Sequence, residues 1–352
     1  MRKYLSMLLA TGMIATHATE TFCTNTEEET KKVSFYSGQA EDKNMRPYME
    51  DRTLPLTTTN YGTVFGVFDG HGGEDAACLL KKHLLESLNR RLKNLRPKKA
   101  IVQSFNFLDQ QIQKRTSSGS TASIVLVPSQ TKKALIATVG DSAAMWFNLH
   151  DNHAPHITED HNMNNPSERK RIIKHGGTLE LSDIKYLVDD EVECIGQGYR
   201  VGNPNLYASL NMSRAIGDCN LKMDIKGAVI CKPNIASATI KDNSPLVIVV
   251  GSDGLWDHTF DYNNYDFYEK RTMLQKQNAR TERLLLANNL RKPIYNILSD
   301  QNNDTQDINT KLQTLARKLV YDAKNATITN CDNISVQIVV AKTNKLEASR
   351  KS

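Results

Sequence analysis

Three apolar runs in this chain end or begin on an aspartate, and that recurrence constrains the fold more than any other feature of the sequence. Thr63 to Phe68 runs into Asp69-Gly70-His71-Gly72-Gly73, Pro245 to Val250 runs into Ser252-Asp253-Gly254-Leu255-Trp256-Asp257, and Cys331-Asp332-Asn333 opens Ile334 to Val340. Short apolar runs bounded by turn residues read as buried strands. A single Asp-Gly at a strand end is an ordinary turn. Three such carboxylates can converge only if the strands that carry them are neighbours in the sheets. Oxygen donors without Cys or paired His then suit Mg²⁺ or Mn²⁺, not zinc. A carboxylate such as Asp69 can bridge two divalent ions, a glycine carbonyl can add an oxygen, and the neighbouring His71 can pass protons.

With 352 residues, 39% of them apolar, the chain can bury a sizeable core in one large domain or two small ones. The formal charge of +6 is spread along the sequence, and the densest basic runs, Arg90-Arg91 with Arg96-Pro97-Lys98-Lys99 and Arg169-Lys170-Arg171, lie on or beside expected helices. No aromatic residues interleave with them, so they read as solvated helix faces and not as a nucleic-acid groove. Six widely spaced cysteines form no Cys-x-x-Cys pair, which indicates neither a zinc site nor a disulfide framework.

The first 18 residues stand apart. Arg2 and Lys3, the apolar Leu5 to Ile14 and the small residues around Thr16-His17-Ala18 outline a cleaved secretory signal at 1–18, and hence export. A mitochondrial presequence or a cytoplasmic protein with a plain polar start are the alternatives. The apolar run is too short to anchor the chain in a bilayer. Residues 19–32 form a polar linker, and 343–352 a polar tail.

Between these ends, Val33-Ser34-Phe35-Tyr36 alternates as a strand, and Pro47 keeps Arg46 to Asp51 out of a helix. Arg46 offers a planar fork for phosphate, while Glu50 and Asp51 are candidate outer ligands. Leu80, Leu84, Leu85, Leu88 and Leu92, then Ile101, Phe105, Leu108 and Ile112, recur at helical spacing. Two amphipathic helices therefore need a sheet to cover. Ser118 to Val127, Ala134 to Val139 and Ala143 to Phe147 read as an antiparallel meander, with Asp141 at its second turn. A short helix is expected around Glu168 to Lys174, ended by Gly176-Gly177. Residues 178–205 lose periodicity and read as a long loop, and 260–306 read as a polar insertion with helix only at Leu284 to Leu290. Ile308 to Val320 forms a last amphipathic helix.

Taken together, Arg46 to Asp51, Val67 to Gly73, Ser118 to Ala122, Val139 to Ser142, Thr158 to His161 with Glu168 and Gly176-Gly177, Ser213 to Asp218, Ser252 to Asp257 and Asp332 to Val336 follow one order. In these segments the chain resembles the metal-dependent serine/threonine protein phosphatases of the type 2C family, over roughly residues 33 to 342. The resemblance implies an α+β fold, a four-layer α-β-β-α sandwich of two mainly antiparallel sheets flanked by helices. It implies a monomer acting on phosphoprotein substrates, with 178–205 as a flap. It also implies two Mg²⁺ or Mn²⁺ ions and a third, weaker one. Asp69 would bridge the pair, the Gly70 carbonyl would bind one ion, Asp253 and Asp332 the other, Glu50 would act through bound water, and Asp141 would hold the third. Arg46 would orient the phosphate, and His71 would be general acid in a direct attack by water. Ala143 and Asn234 depart from the family's usual arginine and acid. The alternative from another class is a catalytically silent pseudophosphatase acting as a binding module. Finally, Asn211-Met212-Ser213 and Asn333-Ile334-Ser335 are glycosylation sequons inside these motifs, and Asn303 and Asn325 start two more.

Overall fold

The computed structural model describes residues 32–163, 165–188, 191–202, 209–256, 271–326 and 332–344. The signal expected at 1–18, the linker up to residue 31, Asp257 and the tail from residue 345 lie outside the described residues.

The apolar runs become inner strands of two five-stranded antiparallel sheets. One sheet has the order β1 (Val33–Asp42), β16 (Ile334–Thr343), β15 (Leu246–Gly251), β8 (Ala143–Asn148) and β9 (His156–Ile157). The other runs β14 (Asn234–Thr239), β7 (Lys133–Val139), β6 (Ala122–Pro128), β3 (Gly62–Phe68) and β2 (Arg52–Thr59). Every residue of β3 and β15 is buried, as continuous apolar strands in the middle of a sandwich should be.

Between the sheets, Phe65, Val67 and Ile136 meet Ile248, Val250 and Val339. Outside the second sheet, α1 (Asp75–Leu92) and α2 (Pro97–Gln113) press Leu80, Leu84, Leu88, Ile101 and Phe105 onto Phe68 and Ile124. Outside the first, α6 (Arg271–Ser299) and α7 (Thr305–Ala326) press Leu290, Ile294, Leu312 and Ala316 onto Met145, Val249 and Ile338. The expected α-β-β-α layering is therefore what the stripes build, each fully buried Leu or Phe contributing about 1.5–3 kcal/mol. Smaller pieces sit at the edge of the sandwich. β4 (Gly70–His71), β5 (Gly119–Ser120) and β13 (Ile216–Gly217) form a short sheet, with α4 (Cys219–Asp224) and α5 (Asp253–Trp256) following β13 and β15. Among the described residues, no helix is long and apolar enough to cross a membrane.

Three local expectations are corrected. Residues 118–147 do not form one meander. β6 and β7 pair, but the chain then crosses at Gly140-Asp141-Ser142 to the other sheet, where β8 pairs with β15. Gly140 adopts φ +98°, and a Cβ there would lie 2.6 Å from the Thr121 side chain, so only glycine makes this crossing. Both turns are short and polar, and alternation along a strand does not say which sheet it joins.

Residues 178–205, read as a loop, contain a ribbon of β10 (Thr178–Val188) and β11 (Glu191–Gly202), to which β12 (Ser209–Leu210) adds, next to α3 (Pro166–Lys174). Residues 189–190 and 203–205 of that stretch lie outside the described residues. In the stretch read as a polar insertion, helix extends well beyond Leu284 to Leu290, from Arg271 through Pro293 to Ser299. Among its described side chains, from 285 onward, the fully buried ones, Ala287, Leu290 and Ile294, occupy one narrow stripe.

Candidate metal centre

β3 and β15 deliver Asp69 and Asp253 to one place, and the crossing between the sheets adds Asp141. Carboxylate oxygens of the three lie within 4.8 Å of one another. Thr121 holds the strand ends in register: its N–H donates to the Asp69 carbonyl at 2.8 Å, its Oγ1 accepts from the Asp69 N–H at 3.1 Å, and it shares a 2.6 Å hydrogen bond with Ser142 Oγ. Asp141 Oδ2 accepts from Asn211 Nδ2 at 3.2 Å, while Oδ1 is buried with no hydrogen-bond partner among the described residues. Asp141, expected only for a third ion, thus belongs to the tightest triad.

Asp332 is not part of that triad. Its Oδ2 accepts from Arg46 Nη2 at 2.8 Å, so the expected phosphate fork rests on an expected ligand. Glu50 Oε1 accepts from the Gly73 N–H at 2.7 Å, and the Glu50 N–H donates to Asn333 Oδ1 at 2.7 Å. Asn333, 3% exposed, also donates through Nδ2 to the carbonyls of Lys43 at 2.9 Å and Tyr48 at 3.1 Å. One buried amide thereby fixes the loop that carries Arg46 and Glu50. Sequence reasoning missed this role, because an Asn after an Asp carries no periodic signal. Gly70 is required for packing: a Cβ there would lie 2.5 Å from the Glu50 carbonyl oxygen.

His71 Nε2 lies 2.9 and 3.0 Å from the two carboxylate oxygens of Asp218, and Nδ1 is buried with no partner among the described residues. Burial would push the imidazole down, but Asp218, helped by Asp141 and Glu50, raises it above the ordinary histidine value. Asp218 was not singled out by sequence reasoning. Its signal is conformational: it stands at φ +53°, a left-handed position that Asp tolerates.

The acids around this point repel one another. Burial first, then Asp253, Asp51, Asp332 and Asp141, hold Asp69 well above the usual carboxylate range. Asp51, 1% exposed, is pushed up to about 7, mainly by burial, with the Ser252 and Ser335 hydroxyls offsetting part of it. Burial and Asp160 push Asp141 up to about 6. Against them stands Arg46, which faces Asp332, Asp253 and Glu50. An all-oxygen donor set with uncompensated negative charge and an orphaned Asp141 oxygen fits a hard divalent cation.

Comparison with known proteins agrees. The family profile described as "Protein phosphatase 2C" matches residues 21–303, short of Asp332. "Probable protein phosphatase 2C 55" of Oryza sativa subsp. japonica is 36% identical over 230 residues, covering 62% of this chain and 53% of that protein. "Protein phosphatase 1L" of Bos taurus is 31% identical over 248 residues, covering 66% and 61%. The chain thus spans little more than half the length of such relatives. The fold matches the solved serine-threonine phosphatase 2C of Toxoplasma gondii with a TM-score of 0.56 at 17% identity, over 88% of this chain and 95% of that one. A profile match over most of the chain, joined to these carboxylates at these strand ends, shows that the chain belongs to the protein phosphatase 2C family.

Proposed function

We propose that the chain is a protein serine/threonine phosphatase, hydrolysing phosphoserine and phosphothreonine by direct attack of water, with two Mg²⁺ or Mn²⁺ ions at the carboxylate cluster and a third, weaker one at Asp141. The convergence of Asp69, Asp141 and Asp253 from separate strands carries this reading. Asp69, the Gly70 carbonyl, Glu50 through water, Asp253 and Asp332 are the residues to hold the pair. When bound, such ions acidify water, screen the phosphate charge and align the attack.

The chain's own groups do the rest. Arg46 exchanges Asp332 for the substrate's phosphate oxygens, which its planar fork fits equally well. Protonated His71, held by Asp218, gives its proton to the departing Ser or Thr oxygen, a contribution of about 10²- to 10⁴-fold. Phosphoproteins are the substrates, and the active form is a monomer.

The test is hydrolysis of a phosphothreonine peptide with Mn²⁺, Mg²⁺ or chelator. Chelation and Asp69→Asn or Asp253→Asn should each lower turnover by more than about 10²-fold. A folded protein that binds Mn²⁺ yet stays silent would instead be a binding module. The start of the chain, Arg2 to Ile14, supports export, and sequencing the N-terminus of native protein decides: a retained Met1 in a cytosolic fraction overturns it. Asn333 is buried and hydrogen-bonded on both sides of its amide, so glycosylation of its sequon after folding is not expected.

A further inference from the structure

The α1–α2 layer concentrates the chain's charge. Residues 74–115 carry ten Lys or Arg and four Asp or Glu, an excess equal to the +6 of the whole chain. A cavity of about 170 Å³ lies in the groove between the two helices. Leu79 and Ile112 line it beside Phe107, which is 37% exposed, and Arg90, Arg91 and Arg115 surround it.

These arginines are poorly compensated. Arg90 Nη2 meets Glu86 at 2.6 Å. The Arg91 guanidinium lies 4.8 Å over the Phe107 ring and donates to the Ser87 carbonyl and hydroxyl, with no carboxylate paired to it among the described residues. Arg115 likewise has no ion pair among the described residues. Burial and the neighbouring charge of Arg90 lower Arg91 from its ordinary value, as happens where positive charge is left unanswered. At about 30 Å³ per water, the cavity holds roughly six waters; this is the size of one bulky side chain and short of the roughly 300 Å³ at which small-molecule sites begin.

We propose that this groove docks an acidic peptide segment of a protein partner, with one bulky apolar side chain in the cavity and flanking carboxylates against Arg90, Arg91 and Arg115. Charge complementarity selects the partner, and the Leu79–Phe107–Ile112 lining selects the apolar residue. Position adds a length requirement. α1 starts at Asp75, just after the Asp69–Gly73 stretch, and rises about 1.5 Å per residue, which puts Arg91 roughly 24 Å along its axis. An extended chain covers about 3.3 Å per residue, so a substrate engaging both places needs at least about seven residues between its phosphate and its docking segment. Linked engagement then raises the local concentration of the phosphorylated residue at the metal centre. This kinetic consequence rests on the phosphatase reading; docking itself does not.

Binding is measured first, by fluorescence anisotropy of a labelled peptide of Glu and Asp around one central Trp, on the full chain in chelator. Saturable binding is expected, weakened at least about tenfold by Arg90→Glu with Arg115→Glu, both exposed, and about tenfold by replacing the peptide's Trp with Ser. Equal binding of the Ser peptide or of a single-stranded oligonucleotide overturns the proposal, since the face would then be a general polyanion surface. With Mn²⁺, phosphothreonine peptides carrying the docking segment about fifteen or about four residues away are compared, alongside an aryl phosphate. A lower KM at unchanged kcat for the long spacer alone, abolished by the arginine variant while aryl phosphate turnover is kept, supports the inference. Aryl phosphate turnover without any peptide binding removes the docking site and leaves the phosphatase. Peptide binding without any hydrolysis removes the phosphatase reading and leaves the docking site.

Discussion

Glu168 and Asp69 are acids placed among fixed charges, and the protein treats their charge in opposite ways. Glu168 is 1% exposed; its oxygens accept from Arg214 Nη2 and Arg171 Nη1 at 2.7 Å each and from Ser213 Oγ at 2.5 Å. Burial would raise it, yet these partners drive it down to about 2. Asp69 lies among other acids, Asp253, Asp51, Asp332 and Asp141, and burial together with them drives it up. The two surroundings are joined through His161: its Nδ1 accepts from the Gly140 N–H at 3.2 Å, beside Asp141, and its carbonyl accepts from the Ser213 N–H at 2.7 Å. Burial and Arg214 hold His161 down at about 4, so this bridge carries no charge from one to the other. The difference separates a charge the chain satisfies by itself from one it leaves for something else to satisfy.

The largest expected effect comes from breaking the satisfied side. Glu168→Ala leaves Arg171 and Arg214 facing each other in the interior and should cost about 3–5 kcal/mol in urea unfolding. The pH dependence has a definite sign. A carboxylate depressed from 4.5 to about 2 contributes stability that is fully present above pH 4.5 and lost as pH falls toward 2. The variant should therefore lack that acid limb, and a loss that is independent of pH in this window would refute the ion pair as its source.

The next effect tests the unsatisfied side. Mn²⁺ at about a hundred times its Kd should add about 2.7 kcal/mol of stability, read as a rise in Tm. Asp69→Asn and Asp253→Asn should lose the rise, whereas Glu168→Gln should keep it at a lower starting Tm. If Glu168→Gln lost it as well, the two surroundings would be one cooperative unit and the contrast would fall.

How far the sequence announces these two centres follows from what each depends on. Asp69 and Asp253 were legible because they end apolar runs, and strand burial fixes where such a run must stop. Asp141 was legible as a turn residue but not as a member of the triad, because membership depends on Gly140 sending the chain to the other sheet. Glu168 stood out only as part of a family motif; Arg171 sits three residues along the same helix, a spacing that allows the pair, but Arg214 comes from a distant bridge that no local pattern announces. Asp218 and Asn333 escaped for a related reason: each acts through long-range contacts, Asp218 to His71 and Asn333 to Glu50, Lys43 and Tyr48. Layers and strands are set by periodic apolar burial, which repeats along the chain. Polar partnerships are set once each, by topology.

A smaller effect with the reverse sign sharpens the contrast. Asp141 rises from 3.8 to about 6 on folding, so the folded state holds the proton more tightly than the unfolded chain between those pH values. Stability without cations must then fall as pH climbs through that window and stay reduced above it. Asp141→Asn removes the penalty and should stabilise the chelated protein at pH 7 by about 2 kcal/mol, while weakening Mn²⁺ binding in calorimetry. Few buried-acid substitutions stabilise, so destabilisation here would mean that the Asn211 hydrogen bond outweighs the repulsion.

The smallest expected effect lies where the two kinds of surroundings meet in one side chain. His71 is partly buried, with its side chain 21% exposed, and is paired with one opposite charge, Asp218, yet it faces the acids of the metal centre. Asp218→Asn keeps the side chain's shape and removes the charge, so His71 should lose its proton at lower pH. A reaction that needs protonated His71 then fails on the alkaline side first. Hydrolysis of a phosphothreonine peptide should drop about tenfold near the alkaline end of the wild-type profile, equivalent to about 1.4 kcal/mol, and recover as pH is lowered. Aryl phosphates, whose leaving groups need little protonation, should show almost no shift. An equal alkaline loss on both substrates would place Asp218 among the residues that merely hold the loop, and would take the acid role away from His71.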